Sequence, residues 1–409
     1  MVNMTFIQRY IEKAENEVIA NVNLRKQIGH YPFFIEFCSE QGPIVKIAGR
    51  EVIMLGSNNY LGMTTHPKVK KAAKKAIDKY GVGSTGSRML NGTMNIHTKL
   101  EKRLANFFST ESCVIFPTGM QANLGGISCF LDKNDWVVSD IQNHASIVDG
   151  IRLGKTSKEH KLIYKHNDMQ DLGRCLKSIP SNERCLIVTD GVFSMEGDLA
   201  HLDIITELAE QYGAGVYVDD AHGIGVFGPN GRGTVAHFGV QKKVDLMMGT
   251  FSKSFASIGG FIAASEVLCE WMRHRARSFI FSASSPPASV ATVLAVLDII
   301  EKDDSYQQKL WKNTKRLKEG YLKAGFNIGM SESPIIPLII GDPFTTFQFG
   351  KLLLEERPRS VFTNPAQFPA TLVGRELVRT SAIATLDYNT IDEAVEIITR
   401  KGKELEIIH

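Results

Sequence analysis

The sequence holds no apolar run long enough to cross a bilayer. A span needs roughly 20 residues, and the longest such stretch, ASVATVLAVLDII at 288–300, is shorter. A signal peptide is not expected either, because MVNMTFIQRYIEKAENEVIANV carries acidic residues and lacks an apolar core. Six cysteines are scattered at 38, 113, 129, 175, 185 and 269, with no CxxC pair and no His/Cys spacing that suits zinc or any other metal. They read as reduced thiols of a cytoplasmic protein rather than as a disulfide framework. Charge of one sign is equally scarce. With 47 basic against 44 acidic residues the formal charge is +3, which argues against nucleic acid and requires any anion to be bound locally. No internal repeat, low-complexity tract or Pro/Gly/Ser-rich linker is present, so domains should pack together.

What is present is the composition of an ordinary globular protein, 43% hydrophobic with 35 glycines. A length of 409 residues exceeds one compact core. The reading divides it into an N-terminal helical and strand segment (1–60), a large domain (61–290) and a small C-terminal α+β unit (291–409). Residues 4–30 read as a charged helix and 51–55 as a short strand leading into the loop GSNNYLG. From about 98 to 265, helical stretches such as KLEKRLANFF and IITELAEQYG alternate with the runs CVIF, WVVSD, CLIVTD, GVYVDD, LMMGT and GFIAA. That alternation predicts an α/β fold with a mostly parallel sheet covered by helices. The last part reads as a long helix, strand IIPLII, helix FQFGKLLLEE, a loop through FTNPAQFP, strand LVRTSAI and helix TIDEAVEIITRKGKEL.

Ligands of such sheets bind beyond the carboxyl ends of the strands, which directs attention to DIQNHASIVDG (140–150), VDDAHGIG (218–225) and GTFSKSFASIGG (249–260). Together they supply a lysine, a buried carboxylate and two histidines, the set a pyridoxal-phosphate site needs. Lys253 lies beside Thr250, Ser252 and Gly259–Gly260, so phosphate donors sit next to the amine. Alone, a lysine in a Ser/Gly loop is more often solvated surface. Asp219, ending an apolar run, would be costly to bury unpaired and suits a protonated pyridine nitrogen. The alternative is a helix-capping carboxylate, a role Asp220 can take instead. His222 and His144 would each, in isolation, be satisfied core histidines. In FPTGMQAN (116–123), Thr118, Gly119 and Met120 precede a helical run whose free amides suit an anion, although the segment reads equally as a structural turn. GVGSTG (81–86) matches GxGxxG but follows a helix rather than a strand, which rules out a nucleotide fingerprint.

The segments GSNNYLG, GSTGSRMLNGT, NHASIVDG, HNDMQDL, DGVFSMEGDL, VDDAHGIGVFGPNGRG and GTFSKSFASIGGFIA resemble the α-oxoamine synthases over nearly the whole chain, and most closely those members that join serine to a palmitoyl thioester. The resemblance implies a fold-type I homodimer with interfacial sites and pyridoxal 5'-phosphate as cofactor. It makes Lys253 the Schiff-base lysine, Asp219 the partner of the pyridine nitrogen, His222 the contact to the ring hydroxyl and His144 the ring-stacking histidine. Gly119, Met120, Thr250 and Ser252 match the phosphate cradle, Ser282 and Ser284 complete the neighbouring subunit's site, and Ser194 lines the cofactor. Arg379 in LVRTS matches the arginine that receives the amino-acid carboxylate, with Asn58 and Ser87 as further substrate contacts. A guanidinium suits a planar carboxylate.

The implied reaction is a decarboxylative condensation of L-serine with palmitoyl-CoA, or with an acyl carrier protein thioester. Cysteate, glycine or alanine are the alternative amino acids, as in sulfonolipid synthesis, 2-amino-3-ketobutyrate ligase and 8-amino-7-oxononanoate synthase. A non-catalytic regulatory subunit on the same fold would be expected to lack Lys253. Two departures from the family pattern, Ala382–Leu386 after RTS and the missing second proline in FTNPAQFPATLVG, are expected near the substrate mouth and so to bear on substrate preference. WMRHRARSF (271–279) interleaves Arg273, Arg275 and Arg277 with Trp271 and Phe279, so peripheral contact with the inner face of the membrane, or with CoA phosphates, stands as an alternative to a solvated helix face.

Overall fold

A computed structural model describes residues 4–409. The charged N-terminal helix is two helices, Phe6–Ala14 and Ala20–Gln27, joined through a wider turn at Glu15–Ile19. Thr5 opens it with a capping box to Gln8. An antiparallel hairpin follows, β1 (Ile44–Ile47) and β2 (Arg50–Met54).

The apolar runs of the middle region form one seven-stranded sheet of β3 (Ser112–Phe116), β4 (Trp136–Asp140), β5 (Lys161–Tyr164), β6 (Cys185–Asp190), β7 (Gly215–Asp219), β8 (Leu246–Thr250) and β9 (Gly260–Ala264). Its order is β3-β9-β8-β7-β6-β4-β5. Every pairing from β8 to β5 is parallel, while β9 runs antiparallel to both its neighbours. Because side chains alternate across a strand, the sheet divides its apolar residues between two cores. Cys113, Ile115, Ile187, Val216 and Val218 face one, and Val114, Phe116, Val188 and Tyr217 face the other. Strand β5, KLIY, was not expected. It is an edge strand with Ile163 turned to solvent, so it lacks the continuous apolar run of its neighbours.

The helix Pro287–Ile300 packs against Pro67–Tyr80 and leads through Ser305–Ala324 into the C-terminal part. There β10 (Ile335–Ile339), β12 (Asn364–Ala366) and β13 (Leu377–Ser381) form an antiparallel sheet. The short β11 (Ser360–Phe362) instead pairs in parallel with β2, which joins the two ends of the chain in one small sheet. Strands β11 and β12 replace much of the loop expected through FTNPAQFP. Each is only three residues long, too short for a period to register. Among the described residues no helix is long and apolar enough to cross a membrane.

Candidate active site

The carboxyl ends of β4, β6, β7 and β8 carry Asp140, Asp190, Asp219 and Thr250. Above them lies a cavity of about 340 Å³ whose wall includes Gly119, Met120, His144, Ser194, Asp219, His222, Thr250, Ser252 and Lys253. Nine positions selected from the sequence thus converge on one space.

Lys253 sits in the loop between β8 and β9, whose ends face each other at Thr250 and Gly260. Burial pushes its amine down to about 8, even though Asp219 and Asp190 pull the other way. Asp219, only 3% exposed, accepts from the Ala221 amide at 3.0 Å and from Asn123 Nδ2 at 2.6 Å. Asn123 is itself fixed by the Tyr217 hydroxyl at 2.8 Å. Asp220 turns away from the cavity to the Thr234 amide and hydroxyl at the start of the short helix Thr234–His237, the capping role expected of it.

His144 precedes the helix Ala145–Leu153, where its Nδ1 lies 2.6 Å from the Ser146 hydroxyl and 3.2 Å from the Ser146 amide. Its backbone N–H donates to Asp190 at 2.8 Å. Burial, and then Lys253, lower its pKa against the pull of Asp219. Burial also drives the pKa of His222 well down, helped by Lys253, Arg379 and His144, so the ring is neutral near pH 7. Its Nδ1 lies 2.7 Å from the Tyr60 hydroxyl, which leaves Nε2 for another partner.

Beside Lys253's hydroxyl neighbours, the helix Gly119–Ser128 begins with Thr118 as its N-cap. A Cβ at position 119 would stand 2.9 Å from Thr250 Oγ1, so only glycine leaves that corner open. Thr250 and Ser252 hydroxyls lie 2.9 Å apart beside it. Helix-end amides and paired hydroxyls form an anion cradle, while a buried carboxylate and a lysine of depressed pKa stand deeper in the same cavity. This donor set fits pyridoxal phosphate.

Arg379 on β13 is 5% exposed. Its Nε donates to the Ser194 carbonyl at 2.6 Å and its Nη2 to Asn58 Oδ1 at 2.9 Å. Ser87, Ser282 and Ser284 do not reach this cavity. They cluster with one another, Ser87 bridging to Ala283 and Ser84 contacting Ser284 at 2.6 Å, and they connect to the cradle helix through Gln121 and Ser282 at 2.9 Å.

Three residues not singled out from the sequence complete the network. Tyr60, whose pKa burial pushes up to about 12 against the opposing charge of Arg379, links His222 to Arg379. Asn123 orients Asp219, and Asp190 holds the His144 amide. All three lie inside motifs already noticed, but only their neighbours in space reveal them. One expectation is corrected. Ala382, Ile383 and Ala384 are buried in the core, with the Ala384 amide on the Tyr60 carbonyl at 2.7 Å, so this departure lies behind the site rather than at its mouth. The exposed departure is the 368–373 stretch, where Phe368, Leu372 and Val373 face solvent. In the 271–279 stretch, Arg273 is held by Glu270 and the Cys113 carbonyl, while Arg275 and Arg277 lie over the Trp271 and Phe281 rings. Arg275 and Arg277 themselves stay exposed, as a solvated helix face requires.

Comparison with known proteins agrees with the geometry. Residues 50–398 match the family described as aminotransferase class I and II. A serine palmitoyltransferase of Sphingobacterium spiritivorum is 45% identical over 96% of this chain and 98% of its own. An 8-amino-7-oxononanoate synthase of Bacillus velezensis is 43% identical over 90% and 93%. The solved serine palmitoyltransferase of Sphingomonas wittichii superposes with a TM-score of 0.92 at 35% identity, covering 97% of this chain and 99% of that one. A high-resolution structure of SPT with PLP gives 0.93 at 34% identity, with coverage of 97% and 99%. The chain belongs to the class I and II aminotransferase family and, within it, to the α-oxoamine synthases.

Proposed function

We propose that this chain condenses L-serine with palmitoyl-CoA, releasing carbon dioxide and coenzyme A to form 3-ketodihydrosphingosine. The observation that carries the reading is Arg379, a guanidinium buried beside a lysine-bearing cofactor cavity and oriented by Asn58 and the Ser194 carbonyl. Relatives named serine palmitoyltransferase at 45 and 46% identity support the choice of amino acid and acyl donor.

Pyridoxal phosphate, when bound, supplies an electron sink for charge developing at the amino acid's α-carbon. The Gly119 and Met120 amides and the Thr250 and Ser252 hydroxyls would hold its phosphate. Asp219 would keep a proton on the pyridine nitrogen, with His222 placed for the ring hydroxyl and His144 and Ser194 for the ring itself. Arg379 and Asn58 fix the substrate carboxylate so that the α-hydrogen points at Lys253. An amine with a pKa near 8 is matched to removing that proton at neutral pH. Ser282 and Ser284 are assigned to the partner's site in a homodimer and Ser87 to substrate contact, none of the three lining the cavity of its own chain.

A second reading takes alanine as the amino acid, favoured by the 43% identity to 8-amino-7-oxononanoate synthases. Purified protein supplied with palmitoyl-CoA and, in turn, serine, cysteate, glycine and alanine decides between them. Serine turnover to the long-chain aminoketone is expected. Lys253→Ala should lose both turnover and the visible band of lysine-bound cofactor, and retention of that band would sink the assignment. Turnover of alanine alone would establish the second reading.

A further inference from the structure

A histidine that plays no part in the chemistry above is clamped between two carboxylates just outside the cavity. His166 follows β5, and its Nδ1 lies 3.1 Å from Asp140 Oδ1 while its Nε2 lies 2.9 Å from Asp198 Oδ2. The Phe193 ring closes over it edge-on at 4.4 Å. A neutral imidazole has one N–H and would satisfy one carboxylate only, whereas the imidazolium donates to both. Burial disfavours the charged ring, but the two carboxylates outweigh it and push the pKa up to about 9. The adjacent Asn167 reinforces the same bridge. Its backbone, in the left-handed region at φ 51°, donates to Asp140 Oδ2 at 3.0 Å, and its amide donates to Asp198 Oδ2 at 2.8 Å.

The two carboxylates belong to different loops of the site. Asp140 ends β4, four residues before His144, and the intervening Asn143 accepts from the Asp190 amide at 2.9 Å. Asp198 closes the segment in which Val192 bridges to Leu199 and the Phe193 amide reaches the Asp198 carbonyl at 3.0 Å. That segment presents Ser194, whose carbonyl holds Arg379. We infer that His166 is a positioning residue whose bridge between Asp140 and Asp198 sets the spacing of the loop presenting His144 against the segment presenting Ser194 and, through it, Arg379. The inference rests on the proposed roles of His144 and Arg379. It assigns His166 no contact with substrate or cofactor.

His166→Gln, which reaches only one carboxylate, and Asp198→Asn, which keeps the shape but removes one charge, test it in the purified, cofactor-loaded enzyme. Hydrogen exchange of segment 192–199, measured with and without cofactor, should quicken about tenfold in both variants. The dissociation constant for the amino-acid substrate, read from the cofactor's visible spectrum, should rise about tenfold, the scale of a small misplacement in a site. The KM for acyl-CoA and the bound cofactor content should stay within about twofold. An unchanged amino-acid constant, or a loss of every parameter in proportion to cofactor content, would overturn the inference. The measurement uses whichever amino acid the wild-type enzyme turns over, so a different substrate leaves it intact. Failure of the Lys253→Ala test instead removes the functional reading by itself.

Discussion

The two ends of the cavity are built differently. The phosphate end is local: Gly119 and Met120 open one helix, and Thr250, Ser252 and Lys253 lie within four residues of one another at the end of β8. The carboxylate end is assembled from afar. Asn58 and Tyr60 come from the loop after β2, Ser194 from the segment after β6 and Arg379 from β13, which belong to three different sheets. On the proposed roles, cofactor binding would rest on short segments, whereas amino-acid binding would depend on how the small sheets sit against the large one.

The strongest way to break this contrast is Arg379→Ala. Loss of charge-assisted hydrogen bonds worth about 1.5–3 kcal/mol each should raise the amino-acid KM about 100-fold, while the cofactor dissociation constant moves less than about twofold. A comparable loss of cofactor would show that the two ends are not separable. The depressed Lys253 pKa gives the next largest effect. The amine is charged below about 8 and neutral above it, so its neutral fraction grows from about a tenth at pH 7 to about nine tenths at pH 9. Cofactor loading of the apoenzyme, followed by absorbance, should quicken about tenfold over that interval and level off beyond it. An ordinary lysine would still be climbing at pH 10. Thr250→Val reverses the Arg379 experiment, weakening cofactor binding about fivefold to tenfold in an equilibrium titration and sparing the amino-acid KM. Smallest of all, Tyr60→Phe removes the link between His222 and Arg379 and should shift both constants by about threefold, which would locate one coupling between the two ends.

The same contrast explains what the sequence could reveal. Lys253 and its hydroxyl neighbours, Asp219 after GVYV, and the cradle after CVIF all follow apolar runs, so strand ends alone direct attention to them. Asn123 and Tyr60 gain their roles only from Asp219, His222 and Arg379, which lie at least 96 residues away in the chain. Placing Ala382–Leu386 at a substrate mouth met a related difficulty, since Ala382, Ile383, Ala384 and Leu386 are buried and Thr385 alone is exposed. Only the register of β13 against β10, with Ser381 opposite Ile335, shows that the chain there turns inward. The edge strand β5 and the three-residue β11 and β12 escaped notice because none buries enough alternate residues to leave a pattern.

The antiparallel pairing of β8 and β9 has a kinetic meaning. A lysine that holds the cofactor must release it to each incoming amino acid and recapture it afterwards. Because Thr250 and Gly260 are locked opposite one another, the loop carrying Lys253 is moored at both feet. If Lys253 holds the cofactor as proposed, its amine once released would stay within reach of its own four-carbon chain. Tethering of that kind keeps a nucleophile at an effective concentration on the order of millimolar or above, so return of the enzyme to its resting form becomes an intramolecular step, independent of how dilute the protein is.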